Sequence, residues 1–311
     1  MNKIHAGILV ATVLAAATIP AFAESPEERR ARWRERYQAW QAQGSEPVVV
    51  TGEGSVQSEK TDTGRTWTGE GSRTSPRGTG TWTSEGEAIR DGDSVEWTAD
   101  RDGTSASGTD WESSTTGSGT RTDTGREWTS TTTGSNEDGQ SWTTDKSGET
   151  VRNDDGTVVK THEYTKELDS GATVSGVKET TITKTEDGAT WTSEGTRTGP
   201  KGTSTMTGSG SGTKTEDGRV WTSEQEGTTA RGREWTASAE GESKKTDSGR
   251  AWNTERTGSF GEGRNWESRG QGERVRSGDG ASVNRSKERT VKAPREKPQS
   301  RPAVQAPARR K

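Results

Sequence analysis

Gly125-Arg126-Glu127-Trp128-Thr129-Ser130-Thr131-Thr132-Thr133-Gly134-Ser135-Asn136-Glu137-Asp138-Gly139-Gln140-Ser141-Trp142 decides the fold. A glycine is followed three residues later by tryptophan, and about 14 residues on the phrase returns. It recurs at Gly64 with Trp67, Gly108 with Trp111, Gly188 with Trp191, Gly218 with Trp221, Gly232 with Trp235, Gly249 with Trp252 and Gly263 with Trp266. A repeat of about 15 residues has room for one strand and one turn. Where tryptophan is missing an apolar residue takes the place: Val159, Val174 and Met206. The periodic position is therefore structural before it is anything else.

Two series interleave. Trp67, Trp97, Trp128, Val159, Trp191, Trp221, Trp252 and Val283 lie about 31 residues apart, and Trp82, Trp111, Trp142, Val174, Met206, Trp235 and Trp266 follow nearly the same period, so the larger unit is a pair of strands. Turn signals separate the units: Asp155-Gly156, Asp187-Gly188, Asp217-Gly218 and Asp279-Gly280, with Pro76-Arg77-Gly78 and Pro200-Lys201-Gly202. Asp-Gly between strand-like runs is a strong hairpin cue, because a two-residue turn of the right twist wants positive φ. The expected fold is all-β: tandem β-hairpins forming an extended antiparallel meander. A β-solenoid with two tryptophan stacks fits the period as well. Largely disordered chain is the third alternative, since apolar residues make up only 22% of the sequence and a conventional core needs more.

The expected organisation runs outward from the repeat. Residues 1–23 have the form of a cleaved secretory signal, with Lys3, an apolar run from Ile8 to Ala17, and Ala21-Phe22-Ala23. Residues 24–47 contain a short amphipathic helix that carries Trp33, Tyr37 and Trp40 on one face and shields the first strand's edge. Residues 48–283 are the Gly/Thr/Trp repeat, and 284–311 a basic, Pro-rich, disordered tail. No later stretch approaches the about 20 apolar residues of a spanning helix, so no transmembrane segment is expected in the mature chain. An outer-membrane barrel is excluded on the same reading, because the strands look polar on both faces. The protein is expected to be exported, to the periplasm, cell surface or extracellular space.

The chemistry-bearing residues are few. The chain lacks cysteine, and His162 is the only histidine outside the signal, so the usual nucleophile and base arrangements cannot be assembled. No enzyme activity and no cofactor are expected. Asp91-Gly92-Asp93, Asp100-Arg101-Asp102-Gly103 and Asn153-Asp154-Asp155-Gly156 offer oxygens to a hard cation but lack a full calcium-loop pattern, and turn chemistry accounts for them. Thr-rich strings such as Thr66-Trp67-Thr68 resemble ice-binding faces but are interrupted by charge.

The candidate ligand site is a ladder of arginine two residues before tryptophan on one strand face: Arg65 with Trp67, Arg126 with Trp128, Arg219 with Trp221, Arg233 with Trp235, Arg250 with Trp252 and Arg264 with Trp266. The net charge is −4, with the acidic surplus in 44–283 and a basic tail. The sequence reads as a non-enzymatic repeat protein acting as a structural scaffold or adhesive surface, with a glycan- or polyanion-binding module as the alternative. Expected partners are envelope polysaccharide or another surface protein, with the tail touching anionic polymers or lipid headgroups and no specific nucleic acid.

Overall fold

The computed structural model describes residues 48–261 and 264–292; the expected signal segment, N-terminal helix and last part of the tail lie outside them. The described chain is sixteen strands in sequence. They are β1 (Val48–Lys60), β2 (Gly64–Ser75), β3 (Gly78–Asp91), β4 (Ser94–Thr104), β5 (Asp110–Arg121), β6 (Gly125–Asn136), β7 (Ser141–Arg152), β8 (Val158–Leu168), β9 (Thr173–Thr185), β10 (Gly188–Gly199), β11 (Gly202–Lys214), β12 (Gly218–Thr228), β13 (Glu234–Thr246), β14 (Gly249–Phe260), β15 (Arg264–Ser277) and β16 (Gly280–Lys292). Each pairs antiparallel with its sequence neighbour, and β1 pairs with β16, Val48 opposite Val291. The meander is thus closed into a barrel.

Closure corrects three expectations. The ribbon is not extended, there is no solenoid, and the exclusion of a barrel fails because the last hairpin strand pairs with the first. It also removes the edge that a capping helix was expected to shield. The sixteenth strand runs on to Lys292, beyond residue 283. Among the described residues there is no helix.

The repeat phrase serves two different turns. At one rim Thr61 and Gly64 exchange hydrogen bonds of 3.2 and 3.4 Å around Asp62-Thr63, and Thr122 and Gly125 do the same around Asp123-Thr124. Here glycine has ordinary φ; it is needed because a Cβ on Gly125 would run into the Thr150 carbonyl of the next strand. At the other rim the phrase-opening glycine closes a longer turn with φ in the left-handed region, as at Gly108 (φ 89), where Gly108 N–H donates to Ser105 O at 2.9 Å. The Asp-Gly signals therefore mislead in part. Gly188 and Gly218 open strands against the Gly212 and Ser243 carbonyls rather than filling a positive-φ turn.

Register explains the tryptophans. Trp67 stands opposite Gly86, Trp82 opposite Gly71, Trp97 opposite Gly117, Trp128 opposite Gly148, Trp191 opposite Gly210 and Trp252 opposite Gly272. Each indole lies over its glycine: a Cβ on Gly71 would sit 2.6 Å from Trp82 Nε1, and one on Gly241 2.6 Å from the Trp221 ring. Tyr164 covers Gly176 in the same way. The ring replaces the missing glycine side chain and shields the ladder, a cross-strand rescue that stands in for a core. No hydrophobic residue is fully buried among the described residues. Val159, expected at a tryptophan position, belongs to the opposite face, since its neighbour Val158 is in register with Ile182 and Trp191.

Candidate functional site: the lumenal wall

Alternation assigns every strand residue to one of two faces. Carried strand by strand round the sheet, the register drifts toward the N-terminal side of β1. Sheet twist has a fixed hand, so a barrel with that stagger turns the tryptophan face inward. Exposure agrees. In β3, Trp82, Ser84 and Gly86 are half-buried while Thr81, Thr83 and Glu85 between them are exposed.

The two faces differ in charge sign. Every glutamate and aspartate of the sixteen strands is on the outward face, and every strand arginine and lysine from Lys60 to Arg289 is on the tryptophan face, with Lys244 and Arg269 as exceptions. Those two exceptions are held by carboxylates: Lys244 Nζ is 3.5 Å from Glu242, and Arg269 lies 3.0 Å from Glu267 and 3.6 Å from Glu255. The lumenal cations have no carboxylate on their own face. Several stand directly opposite one another near one rim: Lys60 and Arg65, Arg121 and Arg126, Lys214 and Arg219, Lys245 and Arg250. Like charges in opposed register cost stability, so this arrangement serves something other than folding.

Sixteen strands enclose more room than side chains fill, leaving an aqueous lumen. Its wall carries indoles flat over glycine, one ring face against the ladder and the other toward the lumen. Lys166 Nζ lies 5.0 Å from the Trp142 ring, Arg289 Cζ lies 4.7 Å from the Trp266 ring, and His162 meets Trp128 at 5.6 Å. The first two join neighbouring strands, and the third reaches from β6 to β8 across Gly148 of β7. The outward face is threonine, serine and carboxylate, tied by bonds such as Thr131 Oγ1 to Asp145 at 2.7 Å and Thr83 Oγ1 to Asp102 at 2.8 Å.

The expected ladder is placed as follows. Arg65 and Trp67 (β2), Arg126 and Trp128 (β6), Arg219 and Trp221 (β12), Arg250 and Trp252 (β14) and Arg264 and Trp266 (β15) are all lumenal; Trp235 is lumenal on β13, and Arg233 lies in the preceding turn. They are spread round the circumference rather than aligned in one track. The sequence reading missed Arg285, Lys287 and Arg289 on β16, because they lie in a stretch taken for tail. Among the described residues no group of three or more acidic or histidine side chains could hold a metal. Asp155 instead accepts from Thr157 N–H (2.9 Å) and Oγ1 (2.7 Å), which lowers its pKa below the ordinary carboxylate value.

No family model matches the chain, and no curated protein matches it in sequence. Solved structures with a similar arrangement include a bacterial polysaccharide outer membrane secretin (8% identity, TM-score 0.42, covering 78% of this chain and 97% of that one). Others are the outer membrane protein OpdK from Pseudomonas aeruginosa (7%, 0.45, 79% and 98%) and OprB from Pseudomonas putida at low pH (8%, 0.39, 83% and 96%). Identities and TM-scores this low leave function to be read from the barrel's own residues.

The barrel corrects the functional expectation. A scaffold or adhesive ribbon presents an open sheet, whereas here the repeat closes on itself and its tryptophans and arginines face a lumen, so neither the structural-protein reading nor the surface partners expected of it stand. The expectation of no transmembrane segment is withdrawn too: it rested on helix-length apolar runs, and barrels cross membranes with strands. No helix is long and apolar enough to cross a membrane among the described residues, which does not bear on strands.

Proposed function

We propose that this protein is an exported, non-enzymatic β-barrel conduit of the cell envelope whose water-filled lumen passes anions in preference to cations. The observation that carries the reading is the sorting of charge by face in a closed sixteen-strand barrel: cations inward, carboxylates outward. A tube lined by one sign of charge concentrates the opposite ion and repels its own. The signal-like first residues and the lack of cysteine support export. The outward wall has threonine and carboxylate where lipid-facing barrels carry an apolar band, so conduction has to be measured directly. The mature protein, added to planar bilayers, should give discrete conductance steps with a reversal potential displaced toward that of chloride. A folded barrel that gives no conductance, or prefers potassium, would sink the proposal.

A further inference from the structure

One row of the lumenal wall is unlike the others. Reading across six strands, the register runs Trp82, Gly71, Gly54, Arg285, Gly272, Trp252. Arg285 stands on β16 with glycine on either side, and each glycine run ends under an indole. Trp82 covers Gly71 and reaches Gly54, where a Cβ would lie 3.3 Å from its ring; Trp252 covers Gly272. The next row holds Lys287 between Gly52 and Gly270. Successive same-face residues of a strand are about 7 Å apart, so Arg285, Lys287 and Arg289 form a short cationic ridge with open ground beside it.

The ridge has no carboxylate partner; Arg289 rests on a ring, that of Trp266. Among the described residues none of the three forms an ion pair, and the carboxylates of β16 and its neighbours face outward. Buried Arg289 Nε lacks a hydrogen-bond partner. A guanidinium offers paired donors to a carboxylate or phosphate, and an indole with one face free stacks rings. The Trp252 ring lies over Gly272, one strand spacing of about 4.8 Å from Arg285, so a ring stacked on its lumenal face has its attached acid group on the arginine's side.

We infer that this row is a binding subsite in the conduit for small ring-bearing organic anions, the acid group on Arg285 and Lys287 and the ring on Trp252. The inference deepens the anion-conduit reading and rests on it for the claim that solutes reach the row. Three probes separate charge from ring: glucuronate carries both, gluconate the charge alone, glucose the ring alone. Titrated into the full mature barrel and followed by tryptophan emission and calorimetry, glucuronate should bind at least about tenfold tighter than either. Arg285→Gln with Lys287→Gln should remove that binding, whereas Glu53→Gln on the outward wall should not. Trp252→Leu should reduce glucuronate to the level of gluconate. If it fails to fold, Trp252→Phe, which keeps an aromatic plane, should retain the preference. Equal binding of gluconate and glucuronate, or glucuronate binding unchanged in the double Gln variant, would overturn the subsite. Both are read without conduction, so conductance lost with binding intact counts against the conduit alone.

Discussion

The inward and outward walls of the barrel use the same strands and the same backbone ladder, and they are held by different physics. The outward wall is stabilised locally, by threonine pairs such as Thr205 to Thr228 at 2.9 Å and by threonine-to-carboxylate hydrogen bonds, and its cations Lys244 and Arg269 are neutralised where they stand. The inward wall is stabilised by indole on glycine and weakened by cation facing cation. A wall that only had to fold would place the carboxylates beside the arginines. The alternation instead sends them through the sheet to opposite sides, and that separation points to a lumen built for charge.

The comparison breaks most visibly at the glycine floor. Gly210→Val places side-chain atoms where the Trp191 ring lies, so the variant should lose about 1–3 kcal/mol. Thr196→Ser on the outward wall should stay within about 0.5 kcal/mol of wild type. Urea unfolding followed by tryptophan emission distinguishes the two. Equal losses would mean that indole-on-glycine packing is not what holds the inner wall.

Charge is the next lever. Arg285→Glu with Lys287→Glu introduces carboxylates on the one face that has none, and the reversal potential should move toward the cation value. Glu53→Lys with Glu70→Lys on the outward wall changes net charge by the same amount in the opposite sense, yet should leave selectivity within error. Equal and opposite shifts from the two pairs would show that net charge, not the face, sets selectivity.

Much of the inner wall was legible in the sequence. The tryptophan period fixed strand length, hairpin pairing and the shared face of Arg126 and Trp128, because spacing of two along a strand is a statement about faces. Closure was not legible: whether β16 pairs with β1 depends on stagger accumulated over the whole sheet, which no local motif carries. The glycine partners were hidden for a related reason, since Gly148 becomes meaningful only when register sets it opposite Trp128. The sign sorting was present in most strands, but it requires knowing which residues share a face across turns of unequal length. Arg285 and Lys287 were missed because basic residues near a Pro-rich end resemble a tail.

A smaller effect tests the cost of the rim. Arg121 stands directly opposite Arg126, so Arg121→Gln should raise stability by roughly 0.2–1 kcal/mol while slightly lowering anion preference. The gain should shrink in high salt, where the repulsion is screened. Stability that falls, or a gain that salt leaves untouched, would show that Arg121 is partnered rather than opposed.

The smallest effect belongs to the turn that joins β7 and β8, which is outside both walls. Asp155 is held below its ordinary pKa by hydrogen bonds from Thr157, hydroxyl first and backbone second. A carboxyl with a depressed folded pKa contributes its stabilisation above the ordinary carboxylate value and loses it as pH falls through the folded value. The Thr157 amide resonance should therefore titrate with a midpoint below the ordinary carboxylate value, with Asp155→Asn abolishing the transition. Selectivity should be the same in wild type and variant, since the turn touches neither the cationic ridge nor the indole floor. A Thr157 resonance that titrates at or above the ordinary value would mean that the turn hydrogen bonds do not favour the ionised form.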